Sequence, residues 1–277
     1  MLGQRIVTAV VLLALLVPAL FAPVSWPFNL LTLLLIGAAA WEWGRLNQVT
    51  MAVAVLLGVL LAAACAAALA AGWVGQPPVQ AWWLAAAVWV LGGAIALRSG
   101  PSMWPQLPRA ARLVLGLAAL WAAWLAMSHA RALGINFILS VFCLVWVADI
   151  AAYFGGRRFG KRKLAPSISP GKSWEGVYGA WIAVAAYAAW LVRYASDAGF
   201  RFDVTPATIA VWIVFAVALA SISVIGDLFE SLLKRHAGVK DSGALLPGHG
   251  GVLDRTDALL AAMPIAAVAA EYCLRRP

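Results

Sequence analysis

Charged residues are scarce in this chain of 277 residues. Only 11% of its residues are Asp, Glu, Lys or Arg, whereas 64% are hydrophobic and the mean hydropathy is +0.91. Soluble domains contain roughly 45–50% apolar residues, so this composition excludes a soluble globular protein. Cysteine is scarce as well. Cys65, Cys143 and Cys273 lie in apolar segments, without the spacing of a zinc site or a disulfide framework.

Apolar segments long enough to cross a bilayer recur along the whole chain. We count nine, at 5–24, 27–46, 51–71, 80–97, 110–130, 134–154, 174–193, 206–226 and 256–273. Because a helix satisfies its own backbone groups in lipid, the sequence predicts an all-α, polytopic integral membrane protein with about nine transmembrane helices. The first segment lacks a small-x-small cleavage site, so we expect it to remain as a helix and not to be removed as a signal peptide.

The basic residues are distributed unevenly between alternate loops. With nine crossings, one side of the membrane carries 15 of the 20 Lys and Arg residues, namely Arg5, Arg45, Arg98, Arg109, Arg112, Arg157, Arg158, Lys161, Arg162, Lys163, Lys172, Lys234, Arg235, Lys240 and Arg255. The other side carries Arg131, Arg193, Arg201, Arg275 and Arg276. The positive-inside rule then places the N-terminus in the cytoplasm and the C-terminus on the opposite side.

Long polar loops occur only in the second half of the chain. We therefore divide it into N-terminal transmembrane helices, residues 1–133, and a C-terminal region, residues 134–277, that carries the candidate site residues. The C-terminal region contains predicted cytoplasmic loops at 155–173 and 227–256. We expect a multi-pass protein of the cell inner membrane with no nucleic-acid partner. The sequence leaves open the role of the first helices and whether the chain forms a homodimer.

The stretch 221–257 has an unusual concentration of charge for this chain. It contains Asp227, Glu230, Lys234, Arg235, Lys240, Asp241, His249, Asp254, Arg255 and Asp257. Carboxylates this close repel one another unless cations neutralise them, and oxygen ligands favour a hard ion such as Mg²⁺. Taken singly, Asp227 could pair with a neighbouring base, and Asp254 or Asp257 could cap the ninth helix. Taken together, Asp227, Asp254 and Asp257 are interpreted as metal ligands.

Residues 247–251 read Pro-Gly-His-Gly-Gly, a turn whose backbone can approach a ligand closely. Its N–H groups, with Gly250 and Gly251 next to the start of a helix, could bind phosphate oxygens. A glycine-rich turn between helices is by itself weak support for such a site. His249 either donates a hydrogen bond to phosphate or faces water, and the sequence does not decide between these roles.

The loop that follows the sixth segment is also polar. Its basic residues have two ordinary explanations, which are membrane topology and attraction to anionic lipid headgroups. Ser169, Lys172, Ser173 and Glu175 then cluster where the seventh segment begins. The Gly-Lys-Ser sequence is not a P-loop, because position 166 is Pro and the context is helical.

Asp149 and Tyr153 lie upstream of this loop, four residues apart on the sixth segment. An Asp inside a membrane helix is a candidate for a functional site, although it could also pair with a base of the loop.

One long pattern resembles the signature of the phosphatidate cytidylyltransferases, also called CDP-diacylglycerol synthases. The matching residues are Ser231, Leu233, Lys234, Arg235, Lys240, Asp241, Gly243, Leu246, Pro247, His249, Gly250, Gly251, Val252, Asp254, Arg255, Thr256 and Asp257. The resemblance covers about 140–273 and includes the Asp149–Tyr153 segment and the Ser-Pro-x-Lys-Ser-x-Glu-Gly loop. Gly171 departs from the family, which usually has Lys at that position.

The resemblance implies a Mg²⁺-dependent nucleotidyltransferase of phospholipid biosynthesis. CTP and phosphatidate would react to give CDP-diacylglycerol and pyrophosphate. Catalytic roles are assigned to Asp227, Lys234, Arg235, Lys240, Asp241, His249, Asp254, Arg255 and Asp257. Substrate-binding roles are assigned to Asp149, Tyr153, Ser169, Lys172, Ser173, Glu175, Gly250 and Gly251.

Two other functions are weighed against this one. The first is another CTP-dependent membrane lipid transferase, such as a polyprenol kinase. The second is a transporter, but transporter halves often contain corresponding broken helices, and here the charge is confined to the second half of the chain. The Asp-x2-Asp-Gly-x2-Ala-Arg pattern of CDP-alcohol phosphotransferases is absent from the sequence.

Overall fold

The fold is a bundle of long helices, seen here in a computed structural model that describes residues 2–194 and 205–273. The helices are α1 Leu2–Phe21, α2 Trp26–Leu46, α3 Met51–Ala70, α4 Val79–Ser99, α5 Arg109–Leu133, α6 Ile135–Phe159, α7 Trp174–Tyr194, α8 Pro206–Ala237 and α9 Leu253–Cys273. Helix α4 includes a π-helical turn at Val88–Gly92. Arg201, Arg275 and Arg276, which were predicted to lie on the side of the membrane opposite the cytoplasm, fall outside the described residues.

Two short antiparallel strands interrupt the helical fold between α6 and α7. Strand β1, Lys163–Ala165, pairs with β2, Ser169–Ser173, in a hairpin. The segment was predicted as a loop in a helical context, so this hairpin is a difference from the sequence-based expectation. All the long elements of the described residues are helices, so the prediction of an all-α fold is confirmed apart from this short hairpin.

Within the described residues, seven helices are long and apolar enough to cross a membrane. They are α1, α3, α4, α5, α6, α7 and α8. Helices α2 and α9 have similar lengths, but Glu42 lies in α2, and Asp254, Asp257 and Glu271 lie in α9. A polytopic membrane protein is therefore confirmed, and the count of nine spans stays a prediction.

Helix ends that are far apart in the sequence meet at one end of the bundle. The Thr8 hydroxyl near the start of α1 donates a hydrogen bond to the Pro247 carbonyl at 2.7 Å. At the same end, Arg112 near the start of α5 lies 3.3 Å from His236 near the end of α8. Contacts of this kind bring together the helix ends that carry most of the basic residues.

Helices α6 and α7 pack with their backbones in close contact. A Cβ atom on Gly176 would lie 2.7 Å from the Ala152 carbonyl oxygen, and one on Gly179 would lie 3.2 Å from that of Ala151. Small residues permit this approach between membrane helices. The contact fixes the position of the hairpin, because α7 begins directly after β2.

The helices extend further than the predicted loop boundaries. The predicted loop 155–173 begins inside α6, which continues to Phe159, and α8 continues to Ala237. Helix α8 ends where Gly238 adopts a left-handed conformation, φ 70°, which lets the N–H of Val239 reach the Lys234 carbonyl at 2.9 Å. The irregular part of the predicted loop 227–256 is therefore only 238–252.

We expect Gly176→Ala to destabilise the protein by about 1–3 kcal/mol, because its methyl group would overlap the Ala152 carbonyl. The melting temperature in detergent measures this change. Gly92→Ala is the matched control, since a Cβ atom there meets its nearest neighbour at an ordinary 4.0 Å. Equal melting temperatures for the two variants would contradict the close α6–α7 contact.

Candidate active site

A polar cavity of about 540 Å³ lies between the hairpin and helices α6, α7, α8 and α9. The predicted site residues that line it are Asp149, Tyr153, Ser169, Lys172, Ser173, Asp227, Asp254 and Asp257. These residues come from both predicted polar loops and from the sixth predicted segment. The structure therefore brings together three parts of the sequence that were singled out separately.

Asp227 lies on the wall of the cavity formed by α8. Its Oδ2 atom accepts a hydrogen bond from the ammonium group of Lys172, which β2 carries across the cavity. Its Oδ1 atom lies 3.4 Å from the hydroxyl of Ser231, one helical turn away. Asp149 and Asp257 are both close enough to Asp227 to interact with it electrostatically. Four carboxyl groups therefore line the cavity, with Lys172 and Arg157 as its basic side chains.

Asp254, in the first turn of α9, is surrounded by donors. Its Oδ1 atom accepts from Lys234 Nζ at 2.6 Å. Its Oδ2 atom accepts from the backbone N–H groups of Ser242 and Gly251, both at 2.8 Å, and lies 2.9 Å from the Ser242 hydroxyl. Burial raises the pKa of Asp254, but the bonds from Lys234, Gly251 and Ser242 outweigh it and lower the pKa to about 2. Asp254 is therefore ionised at neutral pH.

The glycine-rich turn wraps closely around Asp254. Gly250 has φ 84°, a left-handed conformation that favours glycine, and a Cβ atom there would lie 2.7 Å from the Asp254 Oδ2 atom. The N–H of Gly251 is directed at the same carboxylate. In this structure the turn therefore supports a carboxylate, and its predicted contact with phosphate stays a prediction.

Lys234 connects two acidic side chains in the interior. Besides Asp254, its ammonium group contacts Glu230 Oε2 at 2.5 Å, one helical turn earlier on α8. Glu230 is only 3% exposed, so its charge depends on this partner. Lys234 does not line the cavity itself but sits directly behind Asp254.

Three of the predicted site residues join the segments around the cavity. Arg235 Nε donates to the Ile168 carbonyl at 3.2 Å, which ties the hairpin to α8. Arg255 donates two hydrogen bonds to the His249 carbonyl, at 2.8 and 3.1 Å. Glu175 accepts from the backbone N–H groups that follow α6, including that of Lys161 at 3.1 Å.

Lys240, Asp241 and His249 lie on the 238–252 segment, outside the cavity lining. The side chains of Lys240 and Asp241 are exposed, and the backbone N–H of His249 donates to the Leu246 carbonyl at 2.8 Å. Their catalytic roles stay predictions.

Two residues of the site were not singled out in the sequence. Arg157 lines the cavity and donates to the Tyr153 hydroxyl at 3.3 Å. Arg157 belongs to a run of basic residues that membrane topology or attraction to lipid headgroups explains, so the sequence pattern did not distinguish it. Glu42 reaches the start of α9 from α2, with a hydrogen bond of 2.9 Å from the Leu253 N–H. A lone acidic residue in an apolar segment was the signal that could have identified Glu42.

The chain belongs to the cytidylyltransferase family, whose model matches residues 3–273. It is therefore a nucleotidyltransferase. The sequence resemblance to that family is confirmed. The match also includes the N-terminal helices, whereas the resemblance noted in the sequence covered only about 140–273.

Several named relatives are similar to the chain. A phosphatidate cytidylyltransferase of Pseudomonas aeruginosa is 38% identical over 272 residues, which cover 96% of this chain and 95% of the relative. That of Haemophilus influenzae is 38% identical and covers 95% of this chain and 96% of its own length. That of Thermotoga maritima is 43% identical over 127 residues, 46% of each chain.

We expect Lys234→Met to lower the free energy of unfolding by about 3–5 kcal/mol, because Glu230 and Asp254 would lose their buried counter-charge. The melting temperature of the detergent-solubilised protein measures the loss. Lys161→Met is the control, since it removes an exposed ammonium group. If the Lys234 variant melted like the wild type, the buried triad would not contribute to stability.

Proposed function

We propose that this chain is a phosphatidate cytidylyltransferase, which converts CTP and phosphatidate to CDP-diacylglycerol and pyrophosphate. The observation that carries the proposal is the acidic cavity, in which Lys172, Asp227, Asp254 and Asp257 converge from separate parts of the chain. The full-length similarity to proteins of that name supports it.

In the proposed reaction, an oxygen of the phosphatidate phosphate attacks the α-phosphorus of CTP. A new phosphorus–oxygen bond forms as the bond to the pyrophosphate leaving group breaks. A phosphate monoester is already nucleophilic, so no covalent enzyme intermediate is required. The protein is then expected to act by positioning the two phosphates and by stabilising the charge that develops on them.

Basic side chains of the cavity are suited to bind the phosphates. Lys172 and Arg157 both line it, and neither is enclosed by protein on all sides. Lys172 contacts Asp227 in this structure, so it is held beside the proposed reaction centre. Lys234 has a different task, because its ammonium group is already shared by Glu230 and Asp254.

We further propose that one or two of the predicted ligands Asp227, Asp254 and Asp257 hold Mg²⁺. Asp227 and Asp257 are better placed than Asp254, because both oxygens of Asp254 already accept hydrogen bonds from the protein. Within the described residues, no three acidic, His or Cys side chains converge tightly enough to form a complete metal site. Mg²⁺ is typically bound by one or two carboxylates together with waters and substrate phosphates, and Asp227 and Asp257 both line the cavity in which the substrate phosphates would lie. When bound, the ion would neutralise charge on the leaving pyrophosphate.

The surroundings of the cavity suit a substrate that stays in the bilayer. Beside the cavity residue Asp149, α6 exposes Ile150, Tyr153 and Phe154, each by 58–60%. We propose that the acyl chains of phosphatidate lie against this apolar surface while CTP enters from the cytoplasm. The helix ends that carry most of the basic residues meet on the side of the cavity. Because basic residues favour the cytoplasmic side of a membrane, this supports a cavity that opens to the cytoplasm.

The reaction is tested with membranes that contain the protein, labelled CTP and phosphatidate. We expect labelled CDP-diacylglycerol and release of pyrophosphate. A polyprenol kinase would instead release CDP and phosphorylate a polyprenol, and a transporter would form no new lipid. Absence of a labelled lipid product from correctly inserted protein would exclude the proposed activity.

The metal site is tested with Asp227→Asn and Asp257→Asn. We expect each variant to need at least about tenfold more Mg²⁺ for half-maximal activity, because each loses a charged ligand. Mg²⁺ with CTP should also raise the melting temperature of the wild type more than that of either variant. Arg98→Gln removes an exposed charge outside the cavity and serves as the control. Wild-type Mg²⁺ dependence in both Asp variants would refute the assignment.

A further inference from the structure

Glu42 is the only acidic residue among residues 1–133, and its side chain is fully buried. Its carboxylate contacts a part of the chain some 200 residues away. The Oε1 atom accepts from the Val252 N–H at 3.0 Å, and the Oε2 atom accepts from the Leu253 N–H at 2.9 Å. The Ser242 hydroxyl lies 3.0 Å from the same Oε2 atom. All these donors belong to the segment that leads into α9.

These contacts supply a helix cap that the local sequence lacks. The first N–H groups of a helix have no partner within the helix, and a Ser, Thr, Asp or Asn before it usually accepts their hydrogen bonds. The residue before α9 is Val252, whose side chain cannot accept. The carboxylate of Glu42 takes this role, and its negative charge suits the positive end of the helix dipole.

Two glycines of the 238–252 segment leave room for the Glu42 carboxylate. A Cβ atom on Gly243 would lie 2.5 Å from Glu42 Oε1, and one on Gly251 would also overlap the carboxylate. Neither glycine has a positive φ angle. Glycine is therefore needed at these two positions for space around Glu42, and not for an unusual backbone conformation.

The 238–252 segment also binds Asp254 of α9, through the backbone N–H groups of Ser242 and Gly251. The Ser242 hydroxyl lies 3.0 Å from Glu42 Oε2 and 2.9 Å from Asp254 Oδ2, so it connects the two carboxylates. We propose that Glu42 is a positioning residue for the cytidylyl transfer. It fixes the turn and the start of α9, so that Asp254 and Asp257 face the cavity. This inference rests on the proposed role of Asp254 in the active site.

The first test is Glu42→Gln, which keeps the size of the side chain but places an NH₂ group against N–H donors. We expect kcat per folded molecule to fall about tenfold or more, because displaced reacting groups lose rate steeply. Faster hydrogen exchange should accompany the loss and be confined to 242–253. Thr32→Val is the control, since this buried hydroxyl of α2 donates at 2.8 Å to Phe28 within its own helix. Its kcat should stay near that of the wild type.

The second test is a double-mutant cycle between Gly243 and Glu42. Gly243→Ala should lower both kcat and the melting temperature, because its methyl group displaces the carboxylate. In a Glu42→Ala background the same change should have little further effect on the melting temperature, since the overlap is gone. Equal effects of Gly243→Ala in the two backgrounds would overturn the proposed contact.

Full kcat per folded molecule in Glu42→Gln would overturn the positioning role. If that variant does not fold, Gly243→Ala decides, and full kcat in it would have the same meaning. Asp254→Asn separates the two proposals. If Asp254→Asn is inactive while Glu42→Gln is fully active, only the role of Glu42 fails. If Asp254→Asn retains full activity, the proposed role of Asp254 is wrong, and so is the inference for Glu42 that rests on it.

Discussion

A carboxylate enclosed by helices is stable only where cations or hydrogen-bond donors surround it, and this constraint joins the two halves of the chain. Glu42 obtains its donors from the segment before α9, and Asp254 obtains them from Lys234, Ser242 and Gly251. The helices of the N-terminal half are therefore part of the support for the acidic cavity. This agrees with a family match that spans both halves.

The parts of the site that could be predicted are those whose residues are close in the sequence. Asp254 and Asp257 share the first turns of one helix, so their common direction follows from helical periodicity. The contact of Lys172 with Asp227 depends on a hairpin whose strand β2 reads Ser-Pro-Gly-Lys-Ser. That composition disfavours a strand, so tertiary contacts such as Arg235 to Ile168 must stabilise it. The contact from Glu42 to Val252 spans 210 residues, beyond the reach of any local pattern.

Hydropathy identified the class of fold but could not fix the number of crossings. Helix α2 buries Asn29, Thr32 and Glu42 against other helices, which lowers its hydropathy without removing it from the bundle. A helix that faces protein on several sides can carry polar groups that a lipid-facing helix cannot. Local packing also explains why α6 ends later than predicted. Gly155 and Gly156 remain helical because α6 packs closely against α7 at these residues.

The length of α8 bears on how deep in the bilayer the proposed reaction centre lies. Its 32 residues extend about 48 Å, whereas a hydrocarbon core is about 30 Å thick. Asp227 lies about 32 Å along the helix from Pro206. If α8 enters the hydrocarbon core at its first turn, Asp227 lies just beyond the opposite face of the core. The phosphate groups of the lipids in that leaflet lie at the same level. The phosphatidate of the proposed reaction would then meet the carboxylates without leaving its leaflet, and a thicker or thinner bilayer would shift that alignment.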